Sequence, residues 1–191
     1  MAIRGGVKRA VIVAAVMFAG GRRAAGAPAE TPTVVLHVLD YVHLQSDELH
    51  EAQSLAAKVY SKIGVNIVWT EGTAGAAPAD GARHLDVVIL TPEMTTQRSA
   101  APGAFGQAGR PQRRAYIYYK RIIDRAIETR SDPRHVLGFV FAHEVGHMLL
   151  PVYSHSEEGL MRAQWAGTLK RIPDFLPSQG AEIRKELSDP K

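Results

Sequence analysis

The segment His143-Glu144-Val145-Gly146-His147 combines side chains that can bind a metal ion and move a proton. In an α-helix, residues four positions apart lie on the same face, one turn apart, so His143 and His147 can direct imidazole nitrogens at one ion. Glu144 then projects beside that face, where it can reach a water activated by the metal rather than the metal itself. This H-E-x-x-H pattern predicts a Zn²⁺ cofactor and hydrolysis by water, with Glu144 as the general base.

The flanking residues predict the helix that this pattern requires. Asp132 can cap a helix, Pro133 suits its first position and Pro151 prevents its continuation, so we expect a helix over 133–150. Two histidines and a glutamate are costly to bury without partners, and a zinc ion supplies a partner. The apolar residues that indicate burial of this helix are Val136, Leu137, Phe139, Val140, Phe141, Val145, Met148, Leu149 and Leu150.

A catalytic zinc ion usually takes three protein ligands and keeps one position for water. His155, which follows the helix, is the first candidate for the third ligand. Glu157 and Glu158 are the acidic candidates, because carboxylate oxygens also bind zinc. The chain has no cysteine, which excludes a cysteine-ligated site.

This stretch resembles the metzincin clan of zinc peptidases, in particular the matrixin and archaemetzincin types, whose extended pattern is H-E-x-x-H-x-x-G-x-x-H followed by a methionine turn. Leu150 stands where that pattern has glycine, and Tyr153 stands where it has the third histidine. His155 lies two residues later, and the segment from it to Met161 is similar to the matrixin continuation H-S-x-x-x-x-A-L-M, shortened by two residues. The later histidine and the shorter continuation cancel, so the spacing between His147 and Met161 is the same as in the matrixin pattern.

The resemblance covers residues 136–161 and implies a set of roles. Pro151 would end the helix in place of glycine, His155 would return to the metal, and Met161 would form the apolar floor beneath it. The implied fold is α+β: a single domain with a small twisted mixed β-sheet, a long helix and an active-site helix that carries H-E-x-x-H. In gluzincin-type peptidases the third ligand is a glutamate farther along the chain, and Glu157 and Glu158 come too early for that.

Residues 1–29 are typical of a secretory signal, which would leave a catalytic domain at 30–191. They begin with the basic residues Arg4, Lys8 and Arg9 and continue with a short apolar run at 10–20. Small residues at a cleavage site follow in Ala27-Pro28-Ala29. Arg22 and Arg23 after the apolar run, and Pro28 beside the scissile bond, favour the alternative of an uncleaved anchor or tether. We expect a secreted or periplasmic protein.

The charge distribution argues against a nucleic-acid partner. Five of the 23 basic residues and none of the 19 acidic ones lie in residues 1–29, so residues 30–191 carry 18 basic and 19 acidic side chains. The basicity of the whole chain therefore belongs to the signal. We expect a peptide or protein substrate, no membrane contact after removal of the signal, and a monomer.

Periodicity predicts the remaining elements. We expect strands at 34–39, 65–70, 85–90 and 115–119, and helices at 46–63, 120–129, 162–170 and 178–187, with Ser46 and Ser178 as N-caps and Gly64 closing the first helix. Residues 95–114 lack apolar periodicity and are interpreted as a mobile loop beside the cleft, with a solvated run of arginines. The resemblance implies that substrate pairs with an edge strand, which we place at 115–119.

Two other functional classes remain open at this level. A catalytically silent domain would keep the histidines without using Glu144, and a hydrolase of small amides or esters would need a closed pocket rather than an open cleft. Tyr153 would pack or stabilise an oxyanion. The remaining histidines have no ligand spacing, so surface or supporting roles are expected for them: they are His37, His43, His50, His84 and His135.

Overall fold

The computed structural model describes residues 31–73, 81–98, 100–151, 154–164 and 167–189. The segment Thr31–Lys191 forms a compact unit. The predicted signal at 1–29 and Tyr153 lie outside the described residues, so the structure does not test them. Within the described part of the chain, none of the helices has the length and apolar character needed to cross a membrane.

The described residues form a mixed α/β unit around a five-stranded, mostly parallel sheet with the order β2-β1-β3-β5-β4. Only β4 runs antiparallel to its neighbour. The strands are β1 (Thr33–Asp40), β2 (Asn66–Glu71), β3 (Arg83–Leu90), β4 (Gly106–Gly109) and β5 (Arg114–Tyr118). The expectation of a mixed sheet is confirmed.

Burial along the strands explains the order of the sheet. In β1, alternate side chains at Val34, Leu36 and Val38 face the core, whereas β3 is buried at almost every position. A strand in the middle of a parallel sheet is covered on both faces and is therefore apolar throughout. The run 85–90 meets that requirement except at Asp86, which pairs with Arg114, so it forms the central strand.

Five helices are described: α1 (Ser46–Lys62), α2 (Pro92–Gln97), α3 (Tyr119–Thr129), α4 (Pro133–Leu149) and α5 (Pro177–Ser188). Helices α1 and α4 cross closely, because Gly138 of α4 faces the Ala52 carbonyl oxygen and an added Cβ would lie 2.9 Å from it. The Tyr60 hydroxyl of α1 also donates to the Ala142 carbonyl at 2.9 Å. This contact fixes α4 in the core.

Two predicted helix ends agree with the structure, and in both cases local chemistry sets them. The Asp132 side chain accepts a hydrogen bond from the Arg134 N–H at 2.9 Å, which confirms it as the N-cap of α4. Gly64 has a φ of 71° and ends α1, as predicted. The Ser46 assignment is wrong, since α1 begins there and Gln45 is its N-cap.

The C-terminal part departs from prediction. No helix occurs in 162–164 or 167–170, the described residues of the predicted segment. Helix α5 begins at Pro177, so Ser178 is not its cap; the Gln179 side chain instead accepts from the Leu176 N–H at 3.1 Å. A proline at the first helical position makes the earlier start favourable.

The interpretation of 95–114 as a loop with solvated arginines is wrong, whereas its predicted place beside the cleft agrees with the structure, because 102–111 line that cleft. The segment contains β4, which has no apolar periodicity because two of its four residues are glycine. Each of three arginines binds a partner: Arg98 lies over the Tyr116 ring at 3.3 Å, Arg110 pairs with Glu186 at 3.0 Å, and Arg114 Nε donates to Asp86 at 3.1 Å.

The presence of β4 also corrects the predicted edge strand. Strand β5 pairs with β3 on one side and with β4 on the other, so 115–119 does not contain the edge. The edge strand on this side of the sheet is β4, and the edge strand on the other side is β2.

Candidate metal site and cleft

Three histidines predicted as metal ligands lie together. His143 and His147 project from α4, and His155 comes from the segment after Pro151. One ring nitrogen from each lies within 4.8 Å of the others, and the Nε2 atoms of His143 and His147 are 3.0 Å apart. The cluster is compatible with zinc, which binds imidazole nitrogens in tetrahedral sites.

Hydrogen bonds hold the two helical rings in place. His143 Nδ1 lies 2.9 Å from the Leu160 carbonyl oxygen, which can only accept, so Nδ1 carries the proton and Nε2 keeps a lone pair for a metal. His147 Nδ1 lies 3.0 Å from the Ser154 hydroxyl. Such outer partners fix the orientation and tautomer of metal-binding histidines.

The segment from His155 to Met161 is a compact loop that returns to α4. Its ends are joined by the Ser156 N–H, which donates to the Met161 carbonyl at 3.0 Å. The His155 ring lies 5.5 Å from the His143 ring and 4.7 Å from the His147 ring, measured between centroids. The two-residue shift relative to the metzincin pattern therefore still brings an imidazole to the cluster.

Met161 is fully buried against α4. A Cβ on Gly146 would lie 2.6 Å from the Met161 sulfur and 3.2 Å from the Phe175 ring, so only glycine gives the loop room to pack here. Met161 is therefore a packed residue under the helix turn that carries the histidines. Sequence reasoning assigned no role to Gly146, because its contact is made across the fold.

Burial shapes the charge of the site. It lowers the pKa of His143, and together with the neighbouring imidazoles it lowers the pKa of His147 to about 3. Burial also raises the pKa of Glu144 to about 8. The rings of His143 and His147 are thus neutral near pH 7, which is the state that metal binding requires.

The other histidines lie apart from this cluster. His37 Nε2 on β1 is 2.9 Å from His84 Nδ1 on β3, and the pair forms part of the sheet. Burial is the largest cause that lowers the pKa of His37, followed by His84. Supporting roles within the fold agree with the expectation for these two residues.

The cluster of three histidines opens into a cleft of about 1310 Å³. One wall is the segment 102–111, which contains β4, and another is the exposed face of α3 with Arg121, Asp124 and Glu128. His143, Glu144, His147 and His155 line the same cavity. The site is therefore open along the sheet edge rather than enclosed.

The hydrogen-bond pattern shows which groups of β4 face away from the sheet. The Tyr118 N–H donates to the Phe105 carbonyl at 2.9 Å, so these two residues form a hydrogen-bonded pair. Such pairs alternate in an antiparallel ladder, which places Gln107 and Gly109 in the next bonded pairs. The N–H and C=O of Gly106 and Ala108 consequently point to the free edge.

Comparisons with known proteins give one finding. No family model matches the chain, and no curated protein was found to match it. Among solved structures, the crystal structure of archaemetzincin from Methanopyrus kandleri is similar: the match covers 85% of this chain and 99% of that chain, with 16% identity and a TM-score of 0.49.

The first prediction concerns the third ligand. His155→Ala should lower zinc affinity by at least about 100-fold, because it removes one of three nitrogens that converge on one point. Glu157→Ala and Glu158→Ala are matched controls from the same loop and should leave zinc affinity unchanged, since neither residue belongs to the cluster. Competition with a zinc-binding dye measures the affinity. Loss of zinc from a glutamate variant but not from His155→Ala would reject the assignment.

The raised pKa of Glu144 predicts the pH dependence of stability in metal-free protein. A carboxyl group with a pKa of about 8 when folded and near 4.5 when unfolded binds more protons in the folded state. The free energy of unfolding therefore falls as pH rises through this window. Glu144→Gln has no such proton to lose, so its stability relative to wild type should grow by a few kcal/mol, to order of magnitude, across the window.

Urea unfolding in the presence of a chelator, at a series of pH values, measures this difference. The lowered pKa of His147 has the opposite effect, because stability is lost as pH falls from 6.5 towards 3. That contribution is common to both proteins and cancels in the difference. Identical pH profiles for wild type and Glu144→Gln would show that Glu144 titrates normally.

Proposed function

We propose that this protein is a zinc-dependent hydrolase of peptide bonds, a metzincin-like endopeptidase. The observation that carries the proposal is the convergence of His143, His147 and His155 beside the buried carboxyl group of Glu144, at the base of an open cleft. Three imidazoles that converge on one point form the donor set of a catalytic zinc site, and an adjacent carboxyl group can act as its general base.

Each residue has a role in this proposal. The three histidines would hold Zn²⁺, and the ion would supply polarisation of a carbonyl group and a lowered pKa of water, to about 7. Glu144 would take the proton of the water whose oxygen bonds to the peptide carbonyl carbon, and would pass it to the amine that leaves when the C–N bond breaks. Leu160 and Ser154 orient the rings of His143 and His147 through their Nδ1 atoms.

The shape of the cleft favours a peptide over a small molecule. Its volume of about 1310 Å³ exceeds the roughly 300–1,000 Å³ of sites for small ligands. The outward N–H and C=O groups of Gly106 and Ala108 can pair with the main chain of an extended peptide. Main-chain pairing accepts varied sequences, as an endopeptidase requires.

The proposal includes export. Residues 1–29 supply the basic start, apolar run and small-residue site of a signal, and the zinc site would then act in a secreted or periplasmic protein. The N-terminal residue of protein recovered from the medium or periplasm tests this part, with cleavage expected near Glu30.

Glu144→Gln tests the proposed chemistry. The variant should bind stoichiometric zinc and lose peptide hydrolysis by at least about 100-fold, because glutamine cannot take the proton. Zinc content by mass spectrometry and kcat on an unfolded protein substrate give the two readings. Loss of zinc would show that Glu144 is a ligand. Zinc-loaded wild type that hydrolyses no peptide would identify a catalytically silent domain.

Proline substitutions in β4 test how substrate binds. The N–H of Ala108 points to the free edge, so Ala108→Pro should raise KM for peptides by about 10-fold through loss of one hydrogen bond and leave the sheet intact. Gln107→Pro is the contrast, because the N–H of Gln107 lies in the ladder with β5 and its loss should lower stability instead.

Zinc content and circular dichroism check that Ala108→Pro is folded and loaded. An unchanged KM for this folded variant would show that substrate does not pair with β4, and the hydrolysis of small amides or esters would then gain support.

A further inference from the structure

Strand β4 touches the proposed base directly. Gly106 is buried at the start of this strand, and a Cβ added there would lie 2.6 Å from Cγ, 2.7 Å from Cδ and 2.8 Å from Oε1 of Glu144. Real Cβ atoms do not approach other atoms this closely. The main chain of Gly106 therefore occupies the space beside the carboxyl group that any side chain would take.

Backbone conformation does not explain this glycine. The φ of Gly106 is not among the positive values, which occur at Gly103 and Gly159 among others. Gly103 presents the opposite case, because it has a φ of 76° and nothing within 4 Å of an added Cβ. The requirement at Gly106 is thus the contact with Glu144 rather than a turn.

The same residue lies on the edge where substrate is proposed to pair. Gly106 is opposite Ile117 of β5, whose side chain faces the core, so its missing side chain points to α4 and Glu144. Its N–H and C=O point to the free edge, at right angles to that direction. One residue therefore contacts the base on one side and faces the cleft on another.

We propose that Gly106 is a positioning residue for Glu144. This inference rests on the proposed function. The main chain of Gly106 prevents the carboxyl group of Glu144 from moving towards β4. It thereby sets the distance between this carboxyl group and the β4 edge that is proposed to bind the peptide main chain. A methyl group at Gly106 would displace the carboxyl group and leave the three histidines and the strand edge in place, so it should affect the proton transfer more than substrate binding.

A double-mutant cycle in metal-free protein tests the contact without any activity. Gly106→Ala should lower Tm by about 5 °C, as overpacking of a buried site does in a unit of this size. In the Glu144→Ala background the overlapping atoms are gone, so the same substitution should lower Tm by less than about 1 °C. Equal losses in both backgrounds would overturn the proposed contact.

Gly109→Ala is the matched control at the other end of β4. An added Cβ there meets chiefly the end of the flexible Gln112 side chain, and Gly109 bonds to β5 rather than facing the free edge. Its Tm and kinetics should remain near those of wild type. A loss equal to that of Gly106→Ala would mean that β4 rejects any side chain, and the specific role of Gly106 would be overturned.

Kinetics of the zinc-loaded enzyme test the positioning role. Gly106→Ala should retain full zinc and lower kcat by about 10-fold or more, with KM changed by less than about 2-fold. An unchanged kcat in an active enzyme would overturn this inference and leave the proposed function standing. An inactive, zinc-loaded wild type would instead overturn the proposed function and this inference together, so the two failures are distinguishable.

Discussion

The close approach of two partly buried imidazole nitrogens, 3.0 Å apart, is the constraint on which the rest of the site depends. Burial keeps both rings neutral by lowering the pKa of His143 and His147, so one ring donates its N–H to the other at this distance, and a metal ion bound by both nitrogens would take the place of that proton. The fold sustains the arrangement by holding α4 on both sides. Helix α1 crosses it at Gly138, and the Met161 loop packs on it at Gly146.

Glycine at three positions allows these close contacts. Gly138, Gly146 and Gly106 each have a neighbour where a Cβ would be, and those neighbours are helix α1, the Met161 sulfur and Glu144. Since the φ values at these positions are not positive, space rather than backbone freedom selects the glycine. At each position the glycine main chain packs directly against its neighbour, a main-chain oxygen at Gly138 and a side chain at Gly146 and Gly106, and these close contacts hold the site together.

Prediction from sequence succeeded where the determinants are local. The cap at Asp132, the first-turn proline and the i, i+4 spacing fix α4 and its two histidines within one helix. The edge strand was misplaced because β4 has only four residues, two of them glycine, and its existence depends on pairing with β5. Nothing within 106–109 signals a strand, since an apolar alternation needs side chains that glycine lacks.

The sequence by itself determined the helix, the pair of histidines with the adjacent glutamate, and the loop that supplies His155 and Met161. Only the tertiary structure decided that His155 reaches the other rings, that β4 forms the free edge, and that Gly106 meets Glu144. The physical reason is the range of the interactions. Helix spacing and capping act over four residues, whereas the distances that define the cleft join segments tens of residues apart, and packing of the whole core sets them.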